Sequence, residues 1–253
     1  MALIEIRQQR MLKKLLRRPD IWRGESMRKS PEHFACKQCL KTGFTALDNV
    51  LVQQGWPLGG LIEVTQGDLG AGEWQLLAPA LRDLKQIPGY LVLINPSEIP
   101  YAPGLSALGL SLKEIMIITP KNRNDVIATF VEALRNSACK ALLFWENQIR
   151  LKPQEMRRLQ LAAAKSQALC LLFRHTNTLR HNSPALLRLH IQIDAQKIHV
   201  QLLKQRGSFQ YKEAYLDVPE AWQELPALSS NAWLEINKTL LPEAHILPFR
   251  KRQ

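Results

Sequence analysis

From residue 61 onward the chain alternates two apolar patterns. Short, largely apolar runs, LIEVT (61–65), YLVLIN (90–95), IMIIT (115–119), ALLFW (141–145) and ALCLLF (168–173), fit strands buried on both faces. Between them lie segments whose apolar residues recur every three or four positions. These are EWQLLAPALRDL (73–84), a short stretch near Gly104–Leu108, NDVIATFVEALRNS (124–137) and PQEMRRLQLAAAKS (153–166). The third opens on an Asn cap and carries Val126, Ile127, Phe130, Val131 and Leu134 on one face, the pattern of an amphipathic helix. Strands alternating with helices predict βαβ units and a mostly parallel sheet covered on both faces. The pattern then changes. ALLRLHIQIDA (185–195), KIHVQLLKQ (197–205) and SFQYKEAYL (208–216) alternate apolar and polar residues, which predicts an antiparallel extension with one wet face.

Ahead of this core, Leu3, Ile6, Met11, Leu15 and Leu16 are interleaved with Arg7, Arg10, Lys13, Lys14, Arg17 and Arg18. That spacing predicts a basic amphipathic helix over 3–18, stopped by Pro19. The expected organisation is a basic helix and linker (1–40), an α/β domain (41–216) and a tail (217–253) ending FRKRQ. No run of about eighteen apolar residues predicts a spanning helix, and the N-terminus lacks the apolar core of a secretory signal, so a cytoplasmic protein with no membrane partner is expected.

Charge narrows the partners. The chain carries 34 basic and 22 acidic residues, a net +12 with a pI near 9.8. Such a field attracts polyanions, nucleic acid first and anionic membrane second, although many basic proteins are merely soluble. Of the four cysteines, Cys139 and Cys170 lie in apolar runs and read as core residues. Cys36 and Cys39 form CKQC, half of a zinc site with only His33 nearby, so no metal is expected.

The turn after the first core strand reads Gly67-Asp68-Leu69-Gly70-Ala71-Gly72-Glu73-Trp74. Gly67 and Gly72 match the frame GxxxxGK[ST], in which backbone N–H groups wrap phosphates, Lys neutralises them and the hydroxyl holds Mg²⁺. Here Glu73 stands for the Lys and Trp74 for the Ser/Thr. A carboxylate against a triphosphate costs roughly a few kcal/mol in a partly desolvated site. The strand that should end in a metal-binding Asp ends in Trp145, with Glu146 turned to the other sheet face. The expectation is a phosphate-loop frame without ATPase chemistry and without a cofactor. A residual ATPase resting on Gly67 and Gly72 is the enzymatic alternative.

KTGFTALDNVLVQQGWPLGGLIEV (41–64), followed by GDLGAGEW, resembles the opening of the ATPase core of the recombinase RecA. The similarity continues through INPSEIPYAPGLSALGLS (94–111) and ALLFWE to CLLFRHTN (170–177), ending near VQLLKQRGSF. Asn95-Pro96-Ser97 replaces the stretch holding RecA's water-positioning glutamate, with Glu98 one place out of register. The resemblance implies a RecA-like P-loop-type core. IWRG (21–24), the TGF-x-x-LD segment, GWP-x-G (55–59) and the G-x-GE loop are similar to the ImuA family of bacterial mutagenesis cassettes. That likeness implies a role in SOS mutagenesis and translesion synthesis. The implied partners are RecA, a Y-family-polymerase-like protein and an error-prone replicative-type polymerase, at a nucleoid-associated location. GLSLKEIMIITP (109–120) and the unit 124–145 also resemble SulA, the division inhibitor that binds FtsZ.

In RecA the loop matching 174–183 contacts DNA. Arg174, His175, Arg180 and His181 are accordingly candidates for phosphates of single-stranded DNA, as are Lys204, Arg206 and Lys212 near the last strands. A solvated polar turn is the alternative. Helix 3–18, with Arg7, Arg10, Lys13, Lys14 and Arg17, is read as lying on DNA, docking on a partner or packing on its own core. Trp22, Trp56, Trp74 and Trp145 are expected to pack inside, the last two near the vacated nucleotide pocket.

Overall fold

The computed structural model describes residues 38–67, 72–147, 149–193, 197–208 and 210–217. The expected helix 3–18 with its basic residues, Trp22, Cys36, Gly70 and the tail from 218 lie outside the described residues. A two-stranded ribbon, β1 (Cys39–Leu40) and β2 (Trp56–Pro57), brackets helix α1 (Thr45–Val50). Then come β3 (Leu61–Gln66), α2 (Glu73–Asp83), β4 (Tyr90–Ile94), α3 (Ala102–Ala107), β5 (Ile115–Ile118) and α4 (Arg123–Arg135). The chain continues through β6 (Cys139–Trp145), α5 (Pro153–Ala163), β7 (Leu169–His175), β8 (Leu187–Ile193), β9 (Lys197–Gln205) and β10 (Lys212–Asp217).

Eight strands form one sheet in the order β10-β9-β8-β3-β7-β6-β4-β5. Every pair from β8 to β5 is parallel, and β8-β9 and β9-β10 are antiparallel. The protein is therefore a mixed α/β fold with a central, mostly parallel sheet flanked by helices and an antiparallel extension. All residues of β3 and β6 are buried, the polar Glu63, Thr65, Gln66 and Lys140 among them, as central strands covered on both faces require.

The path from β3 through α2 to β4 moves one way along the sheet, and the path from β5 through α4, β6 and α5 to β7 moves back. Right-handed crossovers then place α2 on one face and α4 and α5 on the other. The packing agrees. Val126, Ile127, Phe130, Met156 and Leu159 of the paired helices share one core with Leu61, Val92, Leu142, Phe144 and Leu172. On the opposite face the Trp145 side chain meets Glu73 at the start of α2.

Three expectations need correction. Strand β8, expected to keep one wet face, pairs in parallel with β3 as well as antiparallel with β9. Leu187 to Ile191 are all buried, because the layers that cover β3 extend over them. Strand β5 is an edge strand paired only with β4, and Met116 and Ile117 stay about half exposed, so it is not covered like its neighbours. Helix α4 begins at Arg123, with Asn122 at the cap, so Asn124 is inside the helix. The cause is a tertiary anchor. The Arg123 guanidinium donates to both Glu155 oxygens (3.0 and 2.6 Å) and to the carbonyls of Ile149 and Arg150.

Glu155 also accepts the Lys152 backbone N–H, closing the start of α5. The Arg123 guanidinium holds the Glu155 carboxyl below its ordinary 4.5, outweighing partial burial. Its folded pKa is depressed, so its contribution is present above pH 4.5 and is lost as pH falls through the folded value. Glu155→Ala is expected to lower Tm by a few degrees at neutral pH, with the difference shrinking toward zero in strong acid. Thermal melts across that window check this. A gap that persists unchanged in acid would mean the loss comes from helix packing, not from the charge.

Candidate functional site

Parallel strands end together, so the turns after β3, β4, β6 and β7 gather at one edge of the sheet. In α/β folds this carboxyl edge is where ligands are held. The glycine turn lies there, between β3 and α2 as its frame requires, with Gly67 and Gly72 at its described ends.

Glu73 is the first residue of α2 and is fully buried. Its Oε1 accepts from the Gln66 side-chain amide (2.6 Å) and from the Trp145 indole (2.9 Å), and its Oε2 accepts the Gly72 backbone N–H (3.1 Å). A carboxylate with three donors is well satisfied in a dry site. The last N–H of the glycine turn, which in a working loop would face phosphate, thus donates to the chain's own anion. Gly72 has φ 152°, and a Cβ there would collide with Cδ1 of Ile193 at the end of β8. A glycine is needed because that apolar side chain sits directly on the turn. Trp145 stacks on Phe173 (centroids 5.0 Å apart) and tilts against Trp74 (6.3 Å), filling the same region with aromatic surface.

The neighbouring turns are tied to each other. Asn95 donates to the Trp145 carbonyl (3.1 Å), Asn147 donates to the Asn95 carbonyl (2.8 Å), and Ser97 donates to Asn147 Oδ1 (3.1 Å). Both asparagines adopt positive φ, which their short polar side chains tolerate. Glu98 is exposed beside this clasp. Two clefts among the described residues, one around Leu81, Gly109 and Glu114 and one around Val52, Pro57 and Gln205, do not touch Gly72 or Glu73.

On the other face of the same edge lies a buried ionic cluster that sequence reading misassigned. Arg174, expected to reach DNA, is 3% exposed. Its guanidinium forks onto Glu146 (2.7 and 2.8 Å) and reaches Glu63 at 3.4 Å. Arg188, opposite Glu63 in the β3-β8 register, donates to the same carboxylate at 3.2 Å. Burial pulls the Arg174 pKa down, but Glu146 and Glu63 outweigh it and hold the guanidinium above its ordinary range. The alternation of the strands explains the cluster. Phe173 pairs with Trp145 on the α2 side, so Arg174 and Glu146 both turn to the α4/α5 side. Glu146 also accepts the Leu151 N–H and Arg188 donates to the Thr178 carbonyl (3.4 Å), so the cluster pins the loops that follow β6 and β7.

The other expected DNA candidates scatter. His175 is exposed, and its Nδ1 accepts the Asn177 N–H (3.2 Å), capping a turn over Thr176–Thr178. Arg180 and His181 are exposed beyond it. Lys204 donates to the Ser183 carbonyl (2.8 Å), Arg206 is exposed in the turn after β9, and Lys212 at the start of β10 is half-buried. Sequence reading passed over Lys152, Arg157, Arg158 and Lys165 on and around α5, all exposed. Counting charge segment by segment would have found them.

Cys39 is exposed and donates to the Gln53 carbonyl (3.2 Å). Burial pushes the Cys139 thiol up to about 12 and Cys170 well above its ordinary value, so both are unreactive core residues. Among the described residues no group of three or more His, Cys, Asp or Glu could hold a metal ion, and no helix is long and apolar enough to cross a membrane. Set against known proteins, the chain matches no protein-family model and no curated protein significantly.

Proposed function

We propose that this chain is a non-enzymatic accessory protein of RecA-like architecture acting in damage-induced translesion synthesis. It contacts RecA and the mutagenesis polymerases, and its contact with DNA is through phosphates. The observation that carries the non-enzymatic part is the buried Glu73 carboxylate, held by Gln66, Trp145 and the Gly72 N–H where a phosphate loop needs a cation. Further support comes from Ile193 seated on Gly72 and from the asparagine clasp that joins the turns after β4 and β6. The RecA-like part is supported by the TGFTALD and GWPLGG segments and by the glycine turn between the central strand β3 and α2. The ImuA-like cassette role rests on the IWRG, GWP-x-G and G-x-GE likeness.

Titration with ATP and Mg²⁺, followed by tryptophan fluorescence, tests the first part, because Trp74 and Trp145 adjoin the turn. The expected result is no saturable change up to millimolar nucleotide. Micromolar saturation with turnover would instead establish a residual ATPase. Co-purification with RecA and the polymerase partners tests the second part. Capture of FtsZ and none of these would replace it with a SulA-like division inhibitor.

A further inference from the structure

The net charge is concentrated. Residues 147–212 hold twelve basic and two acidic side chains, +10 of the chain's +12. Of those twelve, Arg174 and Arg188 are consumed by Glu63 and Glu146 in the buried cluster. Glu155, the one acid on α5, is turned against Arg123. The exposed positions of α5 and its flanks therefore keep Lys152, Arg157, Arg158 and Lys165 with no exposed acid among them.

The fold joins this helix to the other exposed cations. Leu61 at the start of β3 donates its N–H to Gln160 of α5 (3.0 Å) and accepts the Leu186 N–H (2.9 Å), so the segment between β7 and β8 crosses the sheet directly beside α5. Ala185 belongs to the same core as Met156 and Leu159. That crossing segment carries Arg180 and His181, and its Ser183 carbonyl receives Lys204. Arg206 closes the patch through its backbone bond to Leu186 (3.1 Å). Partial burial, and after it the nearby Arg188 and Arg206 charges, holds the Lys204 ammonium below its ordinary range against the opposing pull of Glu63.

Resting on the DNA contact proposed above, we infer that a single-stranded DNA backbone lies across the outer face of α5, the 176–186 crossing segment and the end of β9. Lys152 to Lys165 spans about 20 Å along the helix, enough for several phosphates. One exposed large apolar side chain, Leu161, sits amid these cations, which suits a polyanion better than insertion into a membrane.

The test is anisotropy titration of the full chain against labelled oligothymidylate, from ~50 mM to ~500 mM salt. The variant R157Q/R158Q/K165Q changes only exposed side chains. R82Q/K85Q/K113Q removes the same charge from exposed positions around α2 and ahead of β5. The α5 variant is expected to have a log–log salt slope shallower by about 2, and affinity on the order of a hundredfold weaker at ~50 mM salt. The control triple should stay close to the parent. Equal loss in both variants would reduce the effect to overall charge and overturn the inference. An α5 variant that binds DNA normally but no longer captures a protein partner would assign the face to protein. If the parent itself binds no DNA at ~50 mM salt while still capturing RecA, this inference fails and the adaptor reading stands.

Discussion

Arg174→Ala is expected to destabilise the domain by about 3–5 kcal/mol, because it leaves the Glu146 and Glu63 carboxylates buried beside a single remaining guanidinium. Glu146 loses both of its fork bonds. The Glu63 Oε2 already lacks a hydrogen-bond partner among the described residues, so it has no reserve. Urea unfolding should show a lower midpoint at similar m-value. Arg174→Lys should fall between, since an ammonium restores charge but not the bidentate geometry. Replacing Glu63, Glu146, Arg174 and Arg188 together by apolar residues of similar volume should cost far less than the single change, because no charge is then stranded. A parent-like midpoint for Arg174→Ala would mean that Arg174 is not buried in solution and would return it to the DNA candidates. The geometry also warns that weaker DNA binding by Arg174→Ala reports damage to the fold. Arg180, exposed on the same segment, is the fairer probe.

Glu73→Lys, the change that restores the consensus cation, is expected to yield a less stable protein and no ATPase. An ammonium at this position would face the Gln66 amide, the Trp145 indole N–H and the Gly72 N–H, all donors, in a fully buried site. Stranding a charge there costs on the order of 3 kcal/mol or more. Glu73→Gln should be far milder, within about 1.5 kcal/mol. Its amide oxygen can still accept from Trp145. With that oxygen also accepting from Gln66, the NH₂ group takes the place of Oε2, and the Gly72 N–H loses its acceptor there. Urea midpoints combined with ATP titration read both effects. A stable Glu73→Lys protein that binds ATP would show the turn to be open and the plug incidental.

The core was legible because its physics is local. Apolar runs such as ALLFW and ALCLLF can be satisfied only between two covering layers, and the 3.6-residue spacing of 124–137 fits an amphipathic helix. The alternation after residue 185 marked the antiparallel pairs, and β9 and β10 are covered on one face only. But β8 also pairs in parallel with β3 and is buried on both faces from Leu187 to Ile191, so alternation alone did not show that it lies inside the sheet. The last strand begins at Lys212, later than the alternation from 208 suggested, because Ser208 is spent on a bridge to Gln205 in the turn. Edge position was not legible. IMIIT reads like a central strand, and only the strand order shows that β5 has a neighbour on one side.

Residue chemistry alone determined that the phosphate frame lacks its lysine and hydroxyl, because one-letter identity settles which groups are available at Glu73 and Trp74. It also determined that the chain is strongly basic. Only the tertiary structure decided where those charges go. Glu73 turns onto Gln66 and Trp145, which come from two different strands. Arg174 meets Glu146 and Glu63, 28 and 111 residues away in sequence. Whether a cation is spent in the interior or offered to a partner depends on such long-range register between strands. No window of the sequence contains that information, and for that reason an arginine expected on DNA belongs to the core while the arginines of α5 and the two lysines flanking it remain at the surface.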